Sequence, residues 1–95
     1  MSLNLSVTGI SSNTTADNGY DVYFIDASSN NVTLSLPTDY DGKAYFIKRQ
    51  PLGGGNLCTV DTTDSATIDG ASSVSLGDGG LLKVIKFNGN WVTFL

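Results

Sequence analysis

Leu81-Leu82-Lys83-Val84-Ile85-Lys86-Phe87-Asn88-Gly89-Asn90-Trp91-Val92-Thr93-Phe94-Leu95 reads as two strands and the turn between them. Leu81–Phe87 and Trp91–Leu95 are rich in apolar, β-branched and aromatic residues, which fit a pleated surface. Asn88-Gly89-Asn90 supplies the positive φ angles of a tight hairpin turn. Both runs are apolar on both faces: Leu82 and Val84 oppose Ile85 and Phe87, while Val92 and Phe94 oppose Trp91 and Leu95. In an antiparallel sheet one face normally meets water, so the second apolar face needs a cover.

Working outward, the same type of run recurs at close spacing between turn clusters. Tyr20–Asp26 is a strand, again two-faced, with Val22 and Phe24 opposite Tyr23 and Ile25. Asn31–Leu36 alternates Val32, Leu34 and Leu36 with Thr33 and Ser35, and Pro37 stops it because proline cannot donate to a ladder. Strand Lys43–Lys48 follows the turn Asp39-Tyr40-Asp41-Gly42. Asn56–Val60, Thr67–Asp69 and Val74–Leu76 read as shorter strands, and Leu3–Val7 as a possible first one. Ser11–Asn18 reads as a polar loop and Pro51–Gly55, with three consecutive glycines, as a wide one. The expectation is an all-β fold: a small antiparallel β-sandwich or barrel-like domain spanning residues 1–95, with 19–95 as its body and 1–18 as a possible link to an upstream shaft.

Composition agrees. Ser (11), Thr (10), Asn (8) and Gly (11) suit strands and turns rather than helix interiors. All nine acidic residues are Asp, the turn-forming acid, and none is Glu. The net charge of −4, with Lys43, Lys48, Arg49, Lys83 and Lys86 spread along the chain, argues against a nucleic-acid partner. No apolar stretch approaches the roughly 20 residues of a membrane-spanning helix, so no membrane insertion is expected. The opening residues have neither the basic start nor the apolar run of a signal peptide.

The residue inventory closes most routes to catalysis. Without His or Glu, and with Cys58 lacking a base, triads of the Ser-His-Asp or Cys-His kind cannot form, and zinc loses its commonest ligands. An Asp–Asp glycosidase pair survives on paper, but a thin 95-residue β domain offers little room for a cleft. Asp61-Thr62-Thr63-Asp64 and Asp39-Tyr40-Asp41-Gly42 place oxygen ligands in loops, yet Asp beside Gly is the ordinary turn signature. Gly53-Gly54-Gly55 is no phosphate cradle, because no Lys-Ser/Thr follows it. Lone Cys58, in Leu57-Cys58-Thr59-Val60, reads as a buried strand thiol. The expectation is a protein that is not an enzyme and uses no cofactor or metal.

Four pieces, in order, carry a resemblance: Val32-Thr33-Leu34-Ser35-Leu36-Pro37, Gly42-Lys43-Ala44-Tyr45-Phe46-Ile47-Lys48-Arg49, Thr67-Ile68-Asp69-Gly70 and Asn88-Gly89-Asn90-Trp91. Together they resemble the small β modules of bacteriophage tail fibres, tailspikes and related virion appendages. The resemblance implies a homotrimeric head at a fibre or spike tip on the virion surface, attaching it to a host-cell glycan or protein receptor. Its alternative is a purely structural module that trimerises or caps a fibre, with host recognition elsewhere. Burying the two-faced strands in such a trimer makes Tyr23, Ile25, Ile85, Phe87, Trp91 and Phe94 the candidate core and trimer interface. No receptor residues carry over from the family. The bottom-up candidate for receptor contact is Asp39-Tyr40-Asp41, the loop that pairs an aromatic with carboxylates and so could stack on a sugar ring and accept its hydroxyl hydrogen bonds.

Overall fold

The computed structural model describes residues 5–17 and 19–94. They form nine strands and, among the described residues, no helix: β1 (Val7–Ile10), β2 (Thr14–Thr15), β3 (Val22–Ile25), β4 (Val32–Leu36), β5 (Ala44–Arg49), β6 (Cys58–Thr62), β7 (Ser73–Ser75), β8 (Leu81–Phe87) and β9 (Asn90–Thr93). One sheet has the order β1-β3-β5-β8-β9 and the other β2-β4-β6-β7.

From β1 to β6 the chain changes sheet at every connection. Each strand therefore lies beside the strand two earlier and parallel to it, with Val7 beside Val22, Val22 beside Phe46, Thr14 beside Leu34 and Leu34 beside Val60. β7, β8 and β9 then run antiparallel to their neighbours and close this coil. The all-β class stands, with two sheets on either side of one core; what is corrected is the antiparallel direction, and any closure into a barrel, because both sheets are open and of mixed direction. The cause lies in the connections. Links such as Ala27–Asn30 resemble hairpin turns in composition, but they carry the chain across to the opposite sheet. Only Asn88-Gly89 joins two sequential paired strands tightly, and its φ angles of 53° and 81° are those of a type I′ hairpin.

Three local expectations also change. The first described strand is Val7–Ile10 rather than Leu3–Val7, whose Leu3 lies outside the described residues. Ser11–Asn18 is not wholly a loop, because it holds β2; its Asn18, like Leu95 at the end of the last expected strand, lies outside the described residues. Residues 5–17 thus supply an edge strand to each sheet. Thr67–Asp69 is not a strand but one arm of a tight turn: Ile68 and Ala71 bond to each other around Asp69 (φ 50°) and Gly70 (φ 85°). Asp69 N–H donates to the Trp91 carbonyl and Trp91 N–H to the Thr67 carbonyl, so this turn is pinned to β9.

One hydrophobic core fills the space between the sheets. Tyr23, Ile25, Tyr45, Ile47, Leu82, Val84 and Trp91 come from the first sheet, and Val32, Leu34, Leu36, Cys58 and Val60 from the second. Each such side chain, fully buried, is worth about 1.5–3 kcal/mol. The rings of Tyr23 and Tyr45 lie 6.0 Å apart, and those of Tyr45 and Trp91 5.5 Å apart, in tilted arrangements. Two cations are buried with this core. Lys86 places Nζ 4.9 Å from the centre of the Trp91 ring. Arg49 donates to the carbonyls of Leu76 and Asn56, both at 2.8 Å, tying together the loops at one end of the molecule.

Candidate functional site

Alternation decides what each sheet shows to the outside. In the five-stranded sheet the residues between the core positions are Val7, Gly9, Val22, Phe24, Ala44, Phe46, Lys48, Leu81, Lys83, Ile85, Phe87, Asn90 and Val92, followed by Phe94. Register groups them in rows across the strands. Val7, Val22, Phe46 and Lys83 form one, extended by Phe94, whose N–H donates to the Lys83 carbonyl. Ala44, Ile85 and Val92 form another. The Phe46 and Phe94 rings meet edge to face at 6.1 Å. Phe24, Val92 and Phe94 remain 37–38% exposed, and Phe87 60%. The outward rows of β1, β3, β5, β8 and β9 carry no carboxylate; their charges are Lys48 and Lys83. In water such a face is an unpaired apolar surface.

The six candidate core and interface residues therefore separate. Tyr23, Ile25 and Trp91 take the core half of that expectation, buried inside the single chain at 0–1% exposure and so not available to an interface. Ile85, Phe87 and Phe94 lie on the outer face. Val22, Phe24, Phe46 and Val92 share that face without having been singled out. Their signal was the two-faced pattern itself, but period-2 alternation does not say which of two apolar faces turns inward.

The second candidate is the turn between β4 and β5. Lys43 N–H donates to the Tyr40 carbonyl at 3.2 Å, and Gly42 takes φ 93°, which a residue at the third turn position can adopt without strain only when it lacks a Cβ. Asp39 accepts from Tyr40 N–H at 2.9 Å and from the Tyr45 hydroxyl at 3.3 Å. That hydroxyl is held protonated, because burial, and then the Asp39 charge, push its pKa far above the ordinary value. Asp41 accepts from Asn88 N–H at 3.2 Å, which ties the turn to the β8–β9 hairpin. Both carboxylates thus brace the turn. Tyr40 does not lie over a neighbouring strand: it is 84% exposed, more than any other large hydrophobic residue described.

The loops around Tyr40 are acidic. Asp17, Asp21, Asp39, Asp41, Asp64 and Asp69 all lie in connections at this end of the sheets. Lys43 answers one of them, at 3.1 Å from Asp21. Asp64 accepts from Ala66 N–H and the Thr38 hydroxyl, and Asp61 from the Ser35 hydroxyl. Among the described residues no group of three or more His, Cys, Asp or Glu converges on a point where a metal could sit. No described helix is long and apolar enough to cross a membrane.

No protein-family model matches the chain, and no curated protein matches it.

Proposed function

We propose that the chain is the head module of a viral fibre or spike, attaching the virion to a host-cell receptor as a homotrimer on the virion surface. The observation that carries this reading is the outer face of the five-stranded sheet. Contiguous apolar patches left exposed on a soluble chain mark association sites, and here Phe24, Phe87, Val92 and Phe94 are all exposed on one face. A closed symmetric oligomer hides the face in every copy. The resemblance to tail-fibre and tailspike modules supplies the threefold arrangement. Two of its four pieces, Thr67–Gly70 and Asn88–Trp91, are hydrogen-bonded to each other.

In this reading the Tyr40 turn is the receptor contact. An exposed ring on a turn braced by Asp39, Asp41 and Tyr45 is a preorganised stacking surface, and loops on a rigid frame are where recognition usually sits. The receptor is a glycan or a protein at the host surface.

The decisive experiment has two arms. Sedimentation equilibrium at micromolar concentration gives a species of three chains, and a 10.0 kDa monomer overturns the assembly. Binding of the protein to a glycan array and to whole cells is then compared with Tyr40→Ala, checked first for an unchanged oligomeric state. Loss of binding supports the receptor turn. Unchanged binding moves recognition away from Tyr40. An assembled protein that binds no cell favours the second reading, a module that trimerises or caps a fibre while neighbouring domains recognise the host.

A further inference from the structure

We propose that the four-stranded sheet carries a saccharide seat on its outer face, separate from the Tyr40 turn. A shallow depression of about 310 Å³ opens there, lined by Asn13, Thr14, Thr15, Thr33 and Ser35. That volume lies at the lower end of the range for ligand sites, about 300–1,000 Å³, which suits one or two sugar rings.

The lining fixes the class of ligand. Beyond the threonine methyls it offers no apolar side chain, and no cation, so neither a large apolar molecule nor an anion gains much from entering. Neutral hydrogen-bonding groups stand on adjacent strands about 4.8 Å apart, comparable with the span between non-adjacent hydroxyls of a pyranose ring. Register extends the pattern beyond the depression: Thr15, Ser35, Asp61 and Ser73 form one polar row, and Thr33, Thr59 and Ser75 the next.

Several of these groups are held in place before any ligand arrives. Thr33 N–H donates to Asn13 Oδ1 at 2.9 Å, which fixes the amide and commits its NH2 to donating elsewhere. The Ser35 hydroxyl donates to Asp61 Oδ1 at 2.5 Å, so the Ser35 oxygen and the second Asp61 oxygen serve as acceptors beside it. The Thr14 hydroxyl donates to the Ser12 carbonyl at 2.9 Å and steadies β2 at the edge. A donor amide, two threonine hydroxyls and a carboxylate acceptor make up the hydrogen-bonding complement of a neutral polyol. Preorganisation lowers the ordering cost of binding, but an open seat for so small a ligand still binds only at about the millimolar level.

The test is a titration of isotope-labelled protein, followed by amide chemical shifts. The probes are glucose, galactose, mannose and N-acetylglucosamine with their short oligomers, and glucuronate as the anionic comparison. The expected result is saturable shifts with at least one neutral sugar, centred on residues 13–15, 33–35 and Asp61, and weaker binding of glucuronate. Thr33→Val preserves strand shape while removing a hydroxyl, and Asn13→Asp keeps the acceptor for Thr33 N–H while removing the donor. Each should weaken binding about tenfold, the worth of one lost hydrogen bond to a neutral partner, whereas Tyr40→Ala should leave it unchanged. Saturable shifts with none of the neutral sugars, shifts centred on Tyr40, equal binding of glucuronate, or parental affinity in both seat variants would overturn the proposal.

Discussion

Gly89 is one of six described glycines held at positive φ, and it closes the β8–β9 turn. It holds φ 81° directly after Asn88 at φ 53°, and a Cβ placed on it would meet nothing within 4 Å. Replacing it with valine therefore costs backbone strain and no clash, about 1–3 kcal/mol. Denaturant unfolding should show that loss with an unchanged slope, and an unchanged midpoint would mean the hairpin tolerates another turn. Asp69 matters for a different reason. Its carboxylate accepts from the Thr93 hydroxyl and from Thr93 N–H, and those bonds hold its pKa below the ordinary carboxylate range. Asp64 is lowered likewise, first by Ala66 N–H and then by the Thr38 hydroxyl. Groups with a depressed folded pKa contribute stability that is present above about pH 4, the unfolded value, and is lost as pH falls through the folded value. Stability should therefore decline below about pH 4. Asp69→Asn and Asp64→Asn should each flatten that decline, and a profile as steep as the parent's would remove the two carboxylates from the account.

At the scale of the element, the outer face of the five-stranded sheet makes a specific claim on Phe94. It sits 38% exposed and touches Phe46 edge to face, so Phe94→Arg adds a charge to the face without entering the core. If this face is the trimer contact proposed above, the variant should be monomeric by light scattering and melt at a lower temperature by calorimetry, because association no longer stabilises it; a variant still trimeric would place the contact elsewhere. This face was legible in part. Leu81–Phe87 matches β8 residue for residue, because seven consecutive strand-forming residues end at an unambiguous Asn-Gly turn. The apolar content of both faces was also plain from Val22-Tyr23-Phe24-Ile25. What alternation could not supply was partner choice. β1 and β3 pair through Val7 and Val22, yet a strand of the opposite sheet separates them in sequence, and no local chemistry marks such a pairing. β2 was missed because two threonines between polar residues carry no apolar signal. At the candidate receptor turn, Asp39-Tyr40-Asp41 was legible as a turn with an aromatic. The bracing was not legible: Tyr45 reaches Asp39 from the following strand, and Asn88 reaches Asp41 from a hairpin 47 residues away.

The whole molecule is a slab, 21 Å along its shortest axis, with an apolar outer face on one sheet and a hydroxyl-rich one on the other. Cys58 lies in its core at 1% exposure, and burial pushes its thiol pKa up, so alkylating reagents should modify it only on unfolding. Modification at the same rate in native and denatured protein would contradict that placement. The alternation of sheets has a further consequence for how the chain reaches this state. Through the first six strands no strand can zip to its immediate successor, so every pairing must wait for an intervening strand and its loops to be laid down. The β8–β9 hairpin is the strand pairing of lowest sequence separation, and it is synthesised after the other seven described strands. Refolding should therefore be slow, on the order of milliseconds to seconds. If the hairpin starts the process, Gly89→Val will lower the refolding rate more than it raises the unfolding rate in stopped-flow measurements. A nascent chain that has not yet extruded β8 and β9 can complete the four-stranded sheet but leaves β5 as an open edge of the other, available to neighbouring chains until the hairpin emerges to cover it.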